Sequence, residues 1–196
     1  MAALKLLLIQ FLLSVVFINA ACAQSDSALI SKGKKQYESG KYRKALKTYI
    51  KATKVNPKSA LAYRLAGETY FRIVKLEKAL SAFRTSIILD STDHKTLLCL
   101  GITLARQFTK TKDFKLLSES DSIYNKIISK NYEPAYTYMQ MAYNYYYRRQ
   151  YAKTWECLYM VKKIDDKYLN LRFVVDFYID HPDPGNVFNI TKTPFR

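Results

Sequence analysis

A chain of 196 residues, 49 % apolar and with only 5 Gly and 5 Pro, is long enough for one domain with a sizeable core and is neither disordered nor rich in strands and turns. Its 32 Lys and Arg against 16 Asp and Glu give a formal charge of +16. That excludes an acidic surface and favours contact with anions: acidic peptides, polysaccharides, lipid head groups or nucleic acid.

The N-terminus narrows the choice. Met1-Ala-Ala-Leu-Lys5 is a short, weakly basic start, and Leu6 to Ile18 is apolar apart from Gln10 and Ser14. Thirteen helical residues at ~1.5 Å each span roughly 20 Å, short of the ~30 Å hydrocarbon core of a bilayer. The flank Ala20-Ala-Cys-Ala-Gln24 is small and neutral, so residues 1–23 read as a secretory signal cleaved before Gln24. Two other fates are open, a retained N-terminal anchor and lipidation at Cys22. Asn19-Ala20-Ala21-Cys22 resembles a bacterial lipobox, with the signal then ending at 21, although the usual Leu three places before the Cys is absent. Export makes nucleic acid the least suitable of the anionic partners. Cys99 and Cys157 could pair in an oxidising compartment; their helical, apolar surroundings favour two separate buried thiols.

Beyond the signal the chain repeats. Gly33 recurs as Gly67 and Gly101, each step 34 residues; Ala45 recurs as Ala79 and Tyr49 as Phe83 at the same step. A fixed period of this size means stacked supersecondary units. The first runs over about 26–59: a helix carrying Leu29, Gly33 and Tyr37, closed at Ser39-Gly40, then a second with Ala45, Leu46, Tyr49, Ala52 and Val55 on one face, stopped by Asn56-Pro57. The second, 60–93, reads Tyr63-x-x-Ala66-Gly67-x-x-Tyr70, then Ala79-x-x-x-Phe83. The third, 94–134, opens with Leu97-x-x-Leu100-Gly101-x-x-Leu104 and then takes an insertion between Phe108 and Ser120, expected as a loop or a lengthened helix. The fourth, 135–166, carries Tyr138-x-x-Met141-Ala142-x-x-Tyr145 and Thr154-x-x-x-Leu158. Over 167–179 the odd positions alternate like a strand, but a lone strand has no partner in a helical array and a terminal repeat needs a cap, so a capping helix is expected, with Leu171, Val174, Val175 and Tyr178 on one face. Residues 180–196 form a tail, expected extended or mobile.

This pattern of aromatic, Gly, Tyr, Ala, Phe and closing Pro resembles the tetratricopeptide repeat over residues 26–166. The resemblance implies an all-α, right-handed superhelical array of about four helix hairpins with the C-terminal capping helix. It also implies that first helices line a concave groove that binds a peptide or protein segment. Carried over residue by residue, the groove-facing places hold Lys34 and Tyr37 in repeat one, and Arg64, Phe71 and Arg72 in repeat two. Repeat three adds Lys95 and Arg106, and repeat four Tyr136, Tyr143, Tyr146 and Tyr147. Ile30, Glu68, Leu98, Ile102 and Met139 complete the set. Tyr and Arg suit such a surface, and the Arg residues favour a segment that mixes carboxylates with apolar side chains. The carboxylate clamp of some relatives is excluded, because the matching places hold Ile30, Lys34, Leu65, Lys95 and Cys99.

No catalytic constellation, metal set or phosphate loop stands in the chain, so no cofactor and no enzyme activity is expected. His94 follows Asp93 at a helix start, and Asp180-His181-Pro182-Asp183 reads as a turn rather than as a metal site. Charge placement is more informative. Ten Lys or Arg fall between Lys32 and Lys58 against one carboxylate, Glu38, and Lys44, Lys47, Lys51, Lys54 and Lys58 form a row on the second helix. The sequence therefore reads as an exported, non-catalytic scaffold or adaptor of the cell envelope whose groove takes a peptide. The alternative is docking to anionic lipid or polysaccharide through the basic first repeat.

Overall fold

The computed structural model describes residues 26–185 and 187–188; residues 1–23, expected to be a signal, and Cys22, the candidate for lipidation, lie outside the described residues. Every regular element among the described residues is helical. Helix α1 covers 26–38. It is followed by α2 (Tyr42–Val55), α3 (Ala60–Arg72), α4 (Leu76–Leu89), α5 (His94–Thr111), α6 (Phe114–Ser129), α7 (Pro134–Tyr147) and α8 (Tyr151–Ile164). A 3-10 turn (Asp166–Tyr168) then leads to α9 (Leu171–Asp180). The chain divides into two compact units, Met1–Thr103 and Leu104–Arg196.

In the first unit the 34-residue period has a steric cause. A Cβ on Gly33 would stand 2.4 Å from Cε1 of Tyr49, and one on Gly67 2.7 Å from Cε1 of Phe83. Each glycine is the floor on which the ring of the following helix lies, and both rings are buried. A ring of that size removes ~150–250 Å² from water, a gross gain of roughly 4–6 kcal/mol. Ala45 and Ala79, both fully buried, keep the paired helices close at the next turn. The turns repeat as well. Gly40 has φ +71° and Lys41 N–H reaches back to Gln36 O; Val74 has φ +62° and Lys75 N–H reaches Tyr70 O. These are left-handed helix stops, suited to Gly and strained for the β-branched Val74.

The insertion is helical. Tyr49 and Phe83 each follow their glycine by 16 residues, whereas the buried Tyr124 follows Gly101 by 23, about two turns more. The extra residues lengthen α5 at its C-terminal end and α6 at its N-terminal end, with only Lys112 and Asp113 between them. In the second unit the ends of this extension are tied down by rings: Phe108 packs on Phe114 at 5.0 Å and on Tyr147 at 5.5 Å. Ser120 stands four residues before Tyr124 as Ala79 does before Phe83, and it is fully buried. There it accepts a hydrogen bond from Asn144 Nδ2 at 3.1 Å, while the same amide donates to Asp121 at 2.7 Å and Arg148 pairs with Asp121. This polar cluster joins α6 to α7.

The C-terminal segment over 171–180 is a helix, with a different buried face from the expected one. Val174 and Phe177 are buried, while Leu171 is 69 % exposed. The physical reason is aromatic. Phe173 meets Tyr143 at 4.6 Å, and Phe177 meets Trp155 at 4.8 Å and Tyr146 at 5.7 Å. The tail differs from expectation too. Through residue 188 its described part is bound to α8 rather than extended or mobile: Trp155 Nε1 donates to His181 O at 3.1 Å, and Tyr159 hydroxyl donates to Asp183. Phe188 stacks on Tyr159 with ring centres 5.9 Å apart.

Candidate functional site

The expected groove residues fall into two sets, ten in the first unit and six in the second, and the two sets have different environments.

In the first unit, α1, α3 and α5 bring Tyr37, Glu68, Phe71, Cys99, Ile102 and Thr103 around an open cavity of about 150 Å³, floored by Phe83 of α4. The position of each follows from the repeat. Tyr37 stands four residues after Gly33 and Phe71 four after Gly67, so both rings rise one turn above the glycine floor. Thr103 donates its hydroxyl to Cys99 O at 2.6 Å, as Thr69, one repeat earlier, does to Leu65 O at 2.7 Å. The wall is therefore largely apolar, with Glu68 as its charged member.

Charge around this cavity is organised on Arg64. Its Nη1 donates to Glu68 Oε1 at 2.7 Å, and its Nε lies 3.0 Å from Asp93 Oδ2, near enough for attraction though not aligned for a hydrogen bond. Burial works against the guanidinium charge, and Glu68 and Asp93 outweigh it, so its pKa is raised. Lys95 is exposed, with Nζ 3.9 Å from Glu68. Asp93 also caps α5, accepting from Lys95 N, Thr96 N and the Thr96 hydroxyl. Arg64 is thus a structural cation held by two carboxylates, whereas the exposed Lys95 beside Glu68 is able to meet a ligand carboxylate. Cys99 is not a reactive thiol: burial, then the neighbouring Glu68, push its pKa up to about 12.

Two more of the expected residues stand apart from this cavity wall. Arg72 is exposed and lies over the Tyr42 ring, 5.4 Å from its centre, with Tyr42 in turn edge-on to Tyr37 at 5.1 Å. Lys34 is exposed on α1. Phe83 and Thr103 were not among the expected groove residues. Phe83 reads in sequence as a packing ring only, and the signal for Thr103 is its 34-residue spacing from Thr69.

In the second unit the tyrosines are engaged by the C-terminal elements. Tyr136 meets Tyr168 at 5.8 Å; Tyr143 accepts a hydrogen bond from Asn170 Nδ2 at 2.8 Å and packs on Phe173; Tyr146 packs on Phe173 and Phe177. Tyr147 lies against Phe108 and remains 42 % exposed, and Arg106 is exposed on α5. The cap thus supplies partners for the rings of Tyr136, Tyr143 and Tyr146, three of the residues expected to face the groove. Metal binding at Asp180–Asp183 is unsuited for a similar reason. His181 stacks on Tyr151 at 3.6 Å, and Asp183 accepts from Tyr159, Gly185 N and Phe188 N. Burial alone would raise the Asp183 carboxyl, but these bonds bring it below its ordinary range.

The basic row is fully displayed. Lys44, Lys47, Lys51 and Lys54 of α2 and Lys58 in the turn that follows it are all exposed, while Ala45, Tyr49 and Ala52 of α2 are buried. Among the described residues no helix is long and apolar enough to cross a membrane.

Residues 33–74 match the sequence model described as TPR repeat. No curated protein matches the chain. Among solved structures, the chain is similar to a tetratricopeptide repeat protein from Parabacteroides merdae ATCC 43184, at 19 % identity and TM-score 0.68, covering 79 % of this chain and 58 % of that one. The chain thus spans less than two thirds of that protein. It is also similar to a thermophilic TPR protein of Thermus thermophilus, at 16 % identity and TM-score 0.64, covering 81 % and 84 %. A third similar structure is MamA from residue 41 to the end, from Desulfovibrio magneticus RS-1, at 14 % identity and TM-score 0.67, covering 81 % and 86 %. At such identities the likeness establishes the fold. The fold is that of a tetratricopeptide repeat array, and residues 33–74 match the repeat's own sequence model.

Proposed function

We propose that the protein is an exported, non-catalytic scaffold that binds a peptide or protein segment on the α1, α3 and α5 face of its first unit. The observation that carries this reading is the open cavity walled by Tyr37, Phe71 and Ile102 beside Glu68 and Lys95. Its size suits one aliphatic side chain of a partner, and the exposed Lys95 suits a carboxylate next to it. A segment that mixes apolar and acidic residues fits both. Export rests on the sequence of residues 1–23. The test is a pull-down from envelope extract with the parent protein and with Phe71→Ala; the reading expects partners that the parent retains and the variant loses. Identical partner sets from the two would overturn it.

A second reading, docking to an anionic surface of the envelope, is favoured by the exposure of all five lysines of the row on α2 and the turn after it. It requires no groove ligand, and the two can coexist, since the row and the cavity share no residue.

A further inference from the structure

The basic character of the first repeat is not confined to α2. A shallow cleft of about 490 Å³ runs along α1 and the turn into α2, lined by Ser31, Lys32, Lys35, Gln36, Ser39 and Lys41 together with Ala28. Three of these are lysines, all exposed, and no Asp or Glu lines the cleft. Ser31, Gln36 and Ser39 add neutral polar groups between the three ammonium groups.

The cleft is also joined to the α2 row. The Thr48 hydroxyl donates to Gln36 Oε1 at 2.7 Å, which fixes one edge of α2 against the Gln36 side of the cleft. Lys44 and Lys51 stand four residues before and three after Thr48, so they share its helix face. Lys32 and Lys35 of α1, Lys41 of the turn, and Lys44 and Lys51 of α2 therefore stand on the elements that this hydrogen bond joins. Unpaired with carboxylates in the cleft, such a group costs self-repulsion in the folded protein, and an anion bound among the ammonium groups relieves it.

We infer that this cleft and its α2 border are a docking site for the phosphate head groups of an anionic lipid bilayer. The inference rests on the second reading above and gives that surface a defined centre, on α1 and its turn rather than along the α2 row. Two observations favour lipid over other polyanions. The complementarity is with closely spaced single negative charges, since several separate ammonium groups surround a shallow, open depression. The chain outside the described residues also leads there: from the end of the apolar run at Ile18 to Ala28, at the edge of the cleft, is ten residues, at most ~36 Å when fully extended. In the two fates other than cleavage before Gln24, a retained apolar anchor or lipidation at Cys22, the cleft is therefore within reach of the same head groups.

The test is partitioning of the full chain into vesicles containing phosphatidylglycerol, taken relative to pure phosphatidylcholine so that any contribution of the apolar run, common to all variants, cancels. The triple variant Lys32→Gln, Lys35→Gln, Lys41→Gln is compared with Lys110→Gln, Lys115→Gln, Lys126→Gln, which removes the same charge from exposed places in the second unit. The inference expects the first to lose roughly tenfold or more of the anionic preference and the second less than about twofold. Lys32→Arg, Lys35→Arg, Lys41→Arg, which keeps the charge, should keep the preference. Equal losses from the two Gln triples would overturn the site while leaving a diffuse charge effect. Loss in Lys47→Gln, Lys54→Gln, Lys58→Gln with the cleft triple unaffected would leave docking intact and place it on the α2 row instead. Displacement from the vesicles by an acidic polysaccharide such as alginate, at equal charge and low occupancy, would overturn lipid as the ligand.

Discussion

Asn170 donates a hydrogen bond from Nδ2 to the Tyr143 hydroxyl at 2.8 Å, while Phe173, three residues further along, lies against the Tyr143 ring at 4.6 Å. Tyr143 is thus held at both its polar and its apolar end by the C-terminal segment. Tyr143→Phe should cost about 0.5–1.5 kcal/mol by removing the hydrogen bond, and Tyr143→Ala about 3–5 kcal/mol by removing the ring as well. Denaturant midpoints of the two variants measure this. An Ala variant as stable as the parent would contradict the packing role and favour a groove-facing one for Tyr143.

The glycine floors give a second prediction. Gly67→Ala should destabilise by about 1–3 kcal/mol, because the new methyl stands 2.7 Å from the Phe83 ring and either the ring or the helix must shift. Gly67→Ala combined with Phe83→Leu should cost less than the sum of the two single changes, since the smaller side chain makes room for the methyl. A double-mutant cycle with no coupling would show that the ring does not depend on the glycine.

The left-handed turn at Val74 gives a third, of opposite sign. Val74 has φ +62° at the place held by Gly40 one repeat earlier, and it is 44 % exposed, so little packing is lost on shortening it. Val74→Gly should stabilise the protein by ~1 kcal/mol, and Gly40→Val should destabilise it by a similar amount or more. Thermal melts read both. A lower melting temperature for Val74→Gly would mean that the side chain contributes more than its backbone strain costs.

The fourth concerns pH. Burial, reinforced by Glu68, pushes the Tyr49 hydroxyl up to about 12, whereas an unfolded chain ionises near 10.0. Between those values the folded protein keeps a proton that the unfolded chain releases. The stability from this group is therefore complete below pH 10 and is lost as pH rises towards 12. Tyr49→Phe removes the titration, and its unfolding free energy should fall less steeply over that interval. Parallel slopes for the two proteins would show that Tyr49 does not titrate with folding.

These relationships show how far the sequence could be read. Gly33, Gly67, Tyr49 and Phe83 were legible because one steric requirement, a ring lying on a backbone without a Cβ, is printed twice at a fixed spacing. The insertion near Phe108 was legible as extra residues; that they would lengthen two helices depends on the ring contacts among Phe108, Phe114 and Tyr147, which have no periodic signature. The capping helix was legible as a helix, but its buried face is decided by aromatic partners on α7 and α8, so Phe177 is buried and Leu171 is not. At the candidate site, Tyr37 and Phe71 followed from the repeat. The neutralisation of Arg64 did not, because Asp93 comes from the turn before α5 and pairs with it through the fold.

The central claim is that the α1, α3 and α5 face of the first unit holds a partner segment by an apolar side chain in the cavity. Its most direct test is titration of a peptide selected from a random library against the parent protein, repeated on Phe71→Ala and Lys95→Glu. The account predicts that Phe71→Ala weakens binding by ~1–3 kcal/mol, roughly 5- to 150-fold, and that Lys95→Glu disfavours acidic peptides in particular, with melting temperatures of both variants close to that of the parent. Parental affinity in both variants would contradict it and place the binding surface elsewhere.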